Sequence, residues 1–146
     1  MGIVEKLSTA DVSLVCRELG LRDWSQLTTA AVPLQEAAII QQEVGAEAPQ
    51  IPVEEFKKGL EVELEHGLRY PDANVTYNHP VMTGKIVLAH LKESLDYYTR
   101  LEVMELEGDM LKALAAGDAP KLAAVYAKLI AARARLTQSE LAALKT

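Results

Sequence analysis

The chain has 146 residues, 49% of them hydrophobic and 25% charged, the composition of a soluble globular protein with enough length for one domain and a true core. Its formal net charge of −6 repels phosphate backbones and anionic lipid, so neither a nucleic-acid partner nor a membrane is expected. One cysteine excludes an intrachain disulfide. Together with the lack of a signal-peptide core in Met1-Gly2-Ile3-Val4-Glu5-Lys6 and of any long apolar run, it predicts a cytoplasmic protein.

Ser8 followed by Asp11 predicts a helix start, with the helix running to about Leu19 and Gly20 as its left-handed stop. Cys16 falls in the apolar part of this helix and reads as a buried, inert thiol. Trp24, the single tryptophan, reads as a core anchor in the connector 21–25. A second helix is expected to open at Thr28 or Thr29, with Pro33 in its first turn, and to close at Gly45. Residues 45–52 carry Gly45, Pro49 and Pro52 and form the best linker. That linker would set an N-terminal helical segment (1–48) apart from a main helical domain (53–146), within one compact whole.

Pro52 is expected to start a third helix, with Glu54 and Glu55 in its positive first turn. Phe56, Leu60 and Leu64 make its buried stripe, and Gly67 is its expected stop. Residues 68–79 are polar and read as an ordered loop, from which Asn78 would cap a long fourth helix ending at Gly117. Gly84 and Gly108 weaken that helix by about 1 kcal/mol each relative to Ala. Gly117-Asp118-Ala119-Pro120 is stop, cap and restart in four residues. The fifth helix turns Leu122, Val125, Leu129 and Leu136 inward, and Thr137 with Glu140 predicts a cap for a short last helix. In a hairpin centred near residue 118, Lys128 and Arg135 approach Glu102, Glu105 and Asp109, a surface pairing worth under about 1 kcal/mol per pair. No segment reads as a strand. The expected fold is all-α, with five to six helices built on an antiparallel hairpin of the third and fourth.

Side chains suited to chemistry concentrate between residues 61 and 98. Glu63 and His66 are three apart on one helix, and His90 and Glu93 repeat the spacing in reverse on the next. Glu-x-x-His pairs on facing helices are what di-iron carboxylate bundles use, because imidazole and carboxylate suit iron, manganese and zinc. With His79 folded in from the loop, the candidate metal ligands are Glu63, His66, His79, His90 and Glu93. Spacing argues against a shared ion for His66 and His90, which an antiparallel pair would hold about 12 Å apart along the axis. Glu63 is better placed to meet His90. The other reading is a buried polar network joining Glu63 to His90 and His66 to loop carbonyls or Asn74, with Tyr98 and Asp96 nearby. Thr83-Gly84-Lys85 lacks the upstream glycines and strand of a phosphate loop.

The run 55–67 containing Glu-Leu-Glu-His-Gly, then Asn74-Val75-Thr76, Thr83-Gly84-Lys85-Ile86, Ala89-His90-Leu91-Lys92-Glu93 and Asp96-Tyr97-Tyr98, resembles a family of small bacterial proteins catalogued as a domain of unknown function. The resemblance covers roughly residues 53–107; Leu19-Gly20-Leu21 with Asp23-Trp24-Ser25 is similar to the family's N-terminal segment, and 26–52 reads as an insertion. His79 stands where that pattern tends to have an acidic residue. The resemblance implies no activity or cofactor. It marks Glu63, His66, Asn74, Thr76, Lys85, His90, Asp96 and Tyr97 as positions of interest. Two functions are carried forward. One is a non-catalytic binding or assembly protein that engages a protein partner or forms a homo-oligomer. The other is an iron or zinc protein with a ferritin-like redox or storage role.

Overall fold

The computed structural model describes residues 7–45 and 50–145; residues 1–6, linker residues 46–49 and Thr146 lie outside the described residues. Those residues form α1 (Thr9–Leu19), α2 (Leu34–Val44), α3 (Val53–Arg69), α4 (Pro80–Glu93), α5 (Tyr97–Ala115) and α6 (Ala119–Leu144). Short 3-10 turns at Trp24–Gln26 and Pro71–Ala73 complete the elements, and no strand occurs among the described residues. The fold is all-α. No described helix is long and apolar enough to cross a membrane. The chain divides into two compact units, residues 1–95 and 96–146.

In the first unit, α1 starts as its sequence requires. The Ser8 hydroxyl accepts from the Asp11 N–H, the Asp11 carboxylate accepts from the Ser8 N–H, and Gly20 ends the helix at φ 70°. Trp24 and Cys16 are both buried, at 0% and 1% exposure. α2 opens at Leu34, later than Thr28 or Thr29. The residue before a proline is pushed out of the helical region, so Pro33 serves as the N-cap and the chain ahead of it stays extended. α2 then closes at Gly45 as expected.

One polar element of this unit escapes sequence reading. The Glu36 carboxylate is buried at 7% exposure and accepts four hydrogen bonds: from the Arg22 backbone N–H (2.8 Å), from Arg22 Nε (3.1 Å) and Nη2 (3.0 Å), and from Trp24 Nε1 (3.2 Å). Burial pushes this carboxyl up, and the bonds from Arg22 and Trp24 outweigh it, leaving it below the usual carboxylate range. A buried charge so satisfied ties the connector to α2.

α2, α3 and α4 pack on one another around Ile40, Phe56, Leu60, Leu64 and Val87, all essentially inaccessible. α3 continues through Gly67 to Arg69, so that glycine is not its stop. α4 is capped by His79 rather than Asn78. The long fourth helix is in fact two. Ser94 adopts an extended backbone (φ −157°, ψ 128°), and Asp96 is the N-cap residue of α5, its carboxylate turned to the Arg100 guanidinium rather than to a backbone N–H.

In the second unit α5 and α6 pair antiparallel, since Arg100–Glu140, Glu107–Arg133 and Glu102–Arg135 run in opposite directions along the two helices. Val103, Leu129 and Ala132 are buried between them, with Leu106, Met110 and Leu136 packed alongside. Arg135 meets Glu102 at 2.8 Å, one of the expected surface pairings. Thr137 starts no new helix. Leu136 keeps the inward three-four spacing, and α6 runs unbroken past it, on exposed residues, to Leu144.

Two glycines separate packing from propensity. A Cβ at Gly84 would lie 2.7 Å from Ile40 Cγ2 and 2.8 Å from Val44 Cγ1, whereas at Gly108 it would meet nothing within 4 Å. Overpacking of about 1–3 kcal/mol then outweighs the helix-propensity gain of about 1 kcal/mol at Gly84, which is all that acts at Gly108. Denaturant unfolding should show Gly84→Ala less stable, and Gly108→Ala more stable, than the parent chain.

Candidate functional site

On α3, Glu63, His66 and Gly67 fall at i, i+3 and i+4, one stripe of a helix, and Tyr70 follows at i+7 as the C-cap residue just past its end. Beside this stripe the turn 70–79 folds back upon α3. Its sharpest point is Tyr77-Asn78, two successive left-handed residues at φ 51° and 63°. Asparagine tolerates that region; a tyrosine there is strained, and the surrounding hydrogen bonds hold it. Asn74 Nδ2 donates to Asn78 Oδ1 (2.8 Å), the Thr76 hydroxyl donates to Asn74 Oδ1 (3.2 Å), and the Asn78 N–H donates to Thr76 Oγ1 (3.2 Å). The Asn-x-Thr run is thus a self-bonded turn.

Gly67 is what lets that turn sit down. A Cβ there would stand 2.9 Å from both Asn74 Nδ2 and Asn78 Oδ1. Between α3, the turn and α4 lies an open cleft of ≈ 340 Å³, to which Thr83 and Ile86 of α4 contribute. Glu63, His66, Asn74 and Thr76, all singled out by sequence, line it together. Tyr70, Val75, Thr83 and Ile86 also line it and were not singled out as site residues. The heptad-like step from Glu63 to Tyr70, and the three-residue step from Thr83 to Ile86, were the available signals.

The remaining candidates lie elsewhere. His90 Nδ1 stands 3.3 Å from Glu63 Oε1, the partnership that spacing predicted. Glu93 and Lys85 are exposed on α4 and do not line the cleft. Asp96 holds Arg100 through two bonds of 3.0 and 2.8 Å, and Tyr97 packs edge-on against Tyr98 at 5.1 Å, both within the second unit. Among the described residues no three His, Cys, Asp or Glu side chains are grouped so as to hold a metal ion. The five proposed ligands therefore do not converge on one centre; the structure joins Glu63 to His90.

His79 has a structural duty instead. Its Nδ1 accepts the Met82 N–H at 3.3 Å, so the neutral imidazole caps α4, and an acidic side chain in its place would supply the same acceptor. Burial pushes its pKa below the ordinary histidine value, against the opposing pull of a backbone hydrogen bond and of Asp11. Cys16 is likewise unreactive in its setting, its thiol pushed up chiefly by burial while accepting the Trp24 N–H at 3.4 Å.

The sign for His79 is fixed by that depression. Between the two pKa values the unfolded chain binds a proton that the folded chain refuses, so the histidine's contribution is full above the unfolded value of about 6.5 and is lost as pH falls below it. In urea unfolding at about pH 7.5 and about pH 5.5 the parent should lose stability on acidification, and His79→Asp should reduce that loss while keeping α4 capped. An unchanged loss in His79→Asp would remove His79 as its source.

Comparison with known proteins finds a family of unknown function, as expected, over a longer stretch than residues 53–107. The family described as a protein of unknown function (DUF5661) matches residues 12–107, from within α1 to within α5, and so takes in every residue of the cleft. No curated protein and no solved structure matches the chain. With well over half its length matched, the chain belongs to the DUF5661 family, a family of unknown function.

Proposed function

We propose that the protein is a non-catalytic binding protein whose cleft on the first unit receives a segment of a partner protein. The observation that carries this reading is the make-up of the cleft. A shielded carboxylate, Glu63 (side chain 17% exposed), lies among hydroxyl and amide groups of Asn74, Thr76 and Thr83, while Tyr70 and Val75 stand 49% and 77% exposed at its walls. Exposed apolar walls around a few placed polar groups suit a short peptide better than a fully engulfed small molecule. A carboxylate on a chain of net charge −6 favours a segment carrying Lys or Arg.

A displayed heptapeptide library tests this directly. Peptides rich in Lys or Arg beside an aliphatic or aromatic residue should be enriched, and Glu63→Gln and Val75→Asp should each weaken their binding at least tenfold. Enrichment that ignores both substitutions would place recognition elsewhere.

The Glu63–His90 pair sustains the second reading, an iron or zinc protein. Metal content of untagged protein decides between them. Near-stoichiometric iron or zinc, lost in both His66→Ala and His90→Ala, would favour the metal reading; metal-free protein that stays folded after iron or zinc is offered would end it.

A further inference from the structure

The second unit carries more apolar surface than its two helices use. Inward residues on α5 include Val103, Leu106 and Met110, and on α6 Leu129, Ala132 and Leu136. One residue further along lies a second apolar set: Met104, Leu111 and Leu114 on α5, exposed by 61%, 67% and 63%, and Tyr126 and Ile130 on α6, exposed by 51% and 46%. Each step along an α-helix turns about 100° in a right-handed sense. Because α5 and α6 are antiparallel, that one-residue step swings both sets to the same side of the pair.

Two ion pairs fix the sides. Glu107 and Arg133, each one residue past an inward position, meet at 3.8 Å, so the two sets share a face. Glu102 and Arg135, each one residue before an inward position, meet at 2.8 Å on the opposite face. That opposite face carries Glu105, Asp109 and Lys128, which makes it the solvated one. On the apolar side Met110, Ala119, Leu122, Ala123 and Tyr126 also surround a groove of ≈ 330 Å³, a receptacle for an aliphatic side chain.

We infer that this face is the site at which a second copy of the chain docks, two α5–α6 pairs closing into a four-helix bundle. A lone helical pair buries one stripe per helix; a second pair laid on the exposed stripes completes a two-layer core. The five exposed side chains offer on the order of 100 Å² each, so two copies bury about 1,000 Å², the lower bound for a specific interface. A two-fold arrangement also places the same patch on both partners, and the two ion pairs on that side, Glu107–Arg133 and Arg100–Glu140, are each internally balanced. This surface is separate from the cleft and does not depend on what the cleft binds.

Sedimentation equilibrium of the full chain tests the inference. The parent should sediment at twice the mass of the chain, and the double variant Leu111→Glu/Ile130→Glu at the monomer mass with an unchanged helical circular dichroism signal. Glu105→Lys, on the charged face, should remain a dimer. A monomeric parent at millimolar concentration would overturn the inference, and hydrogen exchange would then show whether the face is covered within one chain or open to a different protein. Should the double variant lose helicity, Leu111→Gln alone serves: a weakened dimer supports the interface and an unchanged one removes it.

Discussion

The first unit depends on a distance of closest approach. The turn 74–78 can lie against α3 only because residue 67 has no side chain, and once seated it closes its own hydrogen bonds instead of borrowing them from the helix. The shape of the cleft follows from that contact. It places Asn74 and Thr76 opposite Glu63 and His66, and it sets the height of the wall on which Val75 stands. A second close approach, of Gly84 to Ile40 and Val44, seats α4 and so brings Thr83 and Ile86 to the other side. Two missing methyl groups, on different helices, shape the opening.

Buried polar groups in this protein divide into two kinds. Glu36 is held by Arg22 and Trp24 with its charge fully met, which is the condition under which a buried ion specifies one arrangement of its neighbours. Glu55 differs: among the described residues its Oε2 is a buried atom with no hydrogen-bond partner. The first organises the connector between α1 and α2, where a single tryptophan and a single cysteine also meet. The cleft has the opposite character, with polar groups grouped at an opening.

Much of the helical plan was legible because capping chemistry is local. Ser8 with Asp11, Gly20, Gly45 and Gly117 announce their roles within a few residues. The Glu63–His90 pairing and the grouping of Glu63, His66, Asn74 and Thr76 were legible from helical spacing and motif. What could not be read was anything that tertiary packing decides. Gly67 looks like a stop because helices often end at glycine, yet here its use is to admit a neighbour. Thr137 looks like a cap because nothing in its own neighbourhood says that Leu136 is already packed. Ser94-Leu95-Asp96 went the other way, a break hidden inside an apolar period that continues on both sides of it. Glu36 has no sequence signature at all, since its partners lie twelve and fourteen residues away.

The burial of Cys16 has a consequence for oxidative chemistry. With its thiol 1% exposed and its ionisation suppressed, the chain offers an oxidant almost no thiolate. Thioethers are reached first: Met82 is 39% and Met104 61% exposed. Sulfoxide at Met104 would set a polar, chiral group in the middle of the apolar stripe of α5, and reductase repair would restore it. An oxidant would therefore meet methionine before cysteine, and its first effect would be a change in surface hydrophobicity.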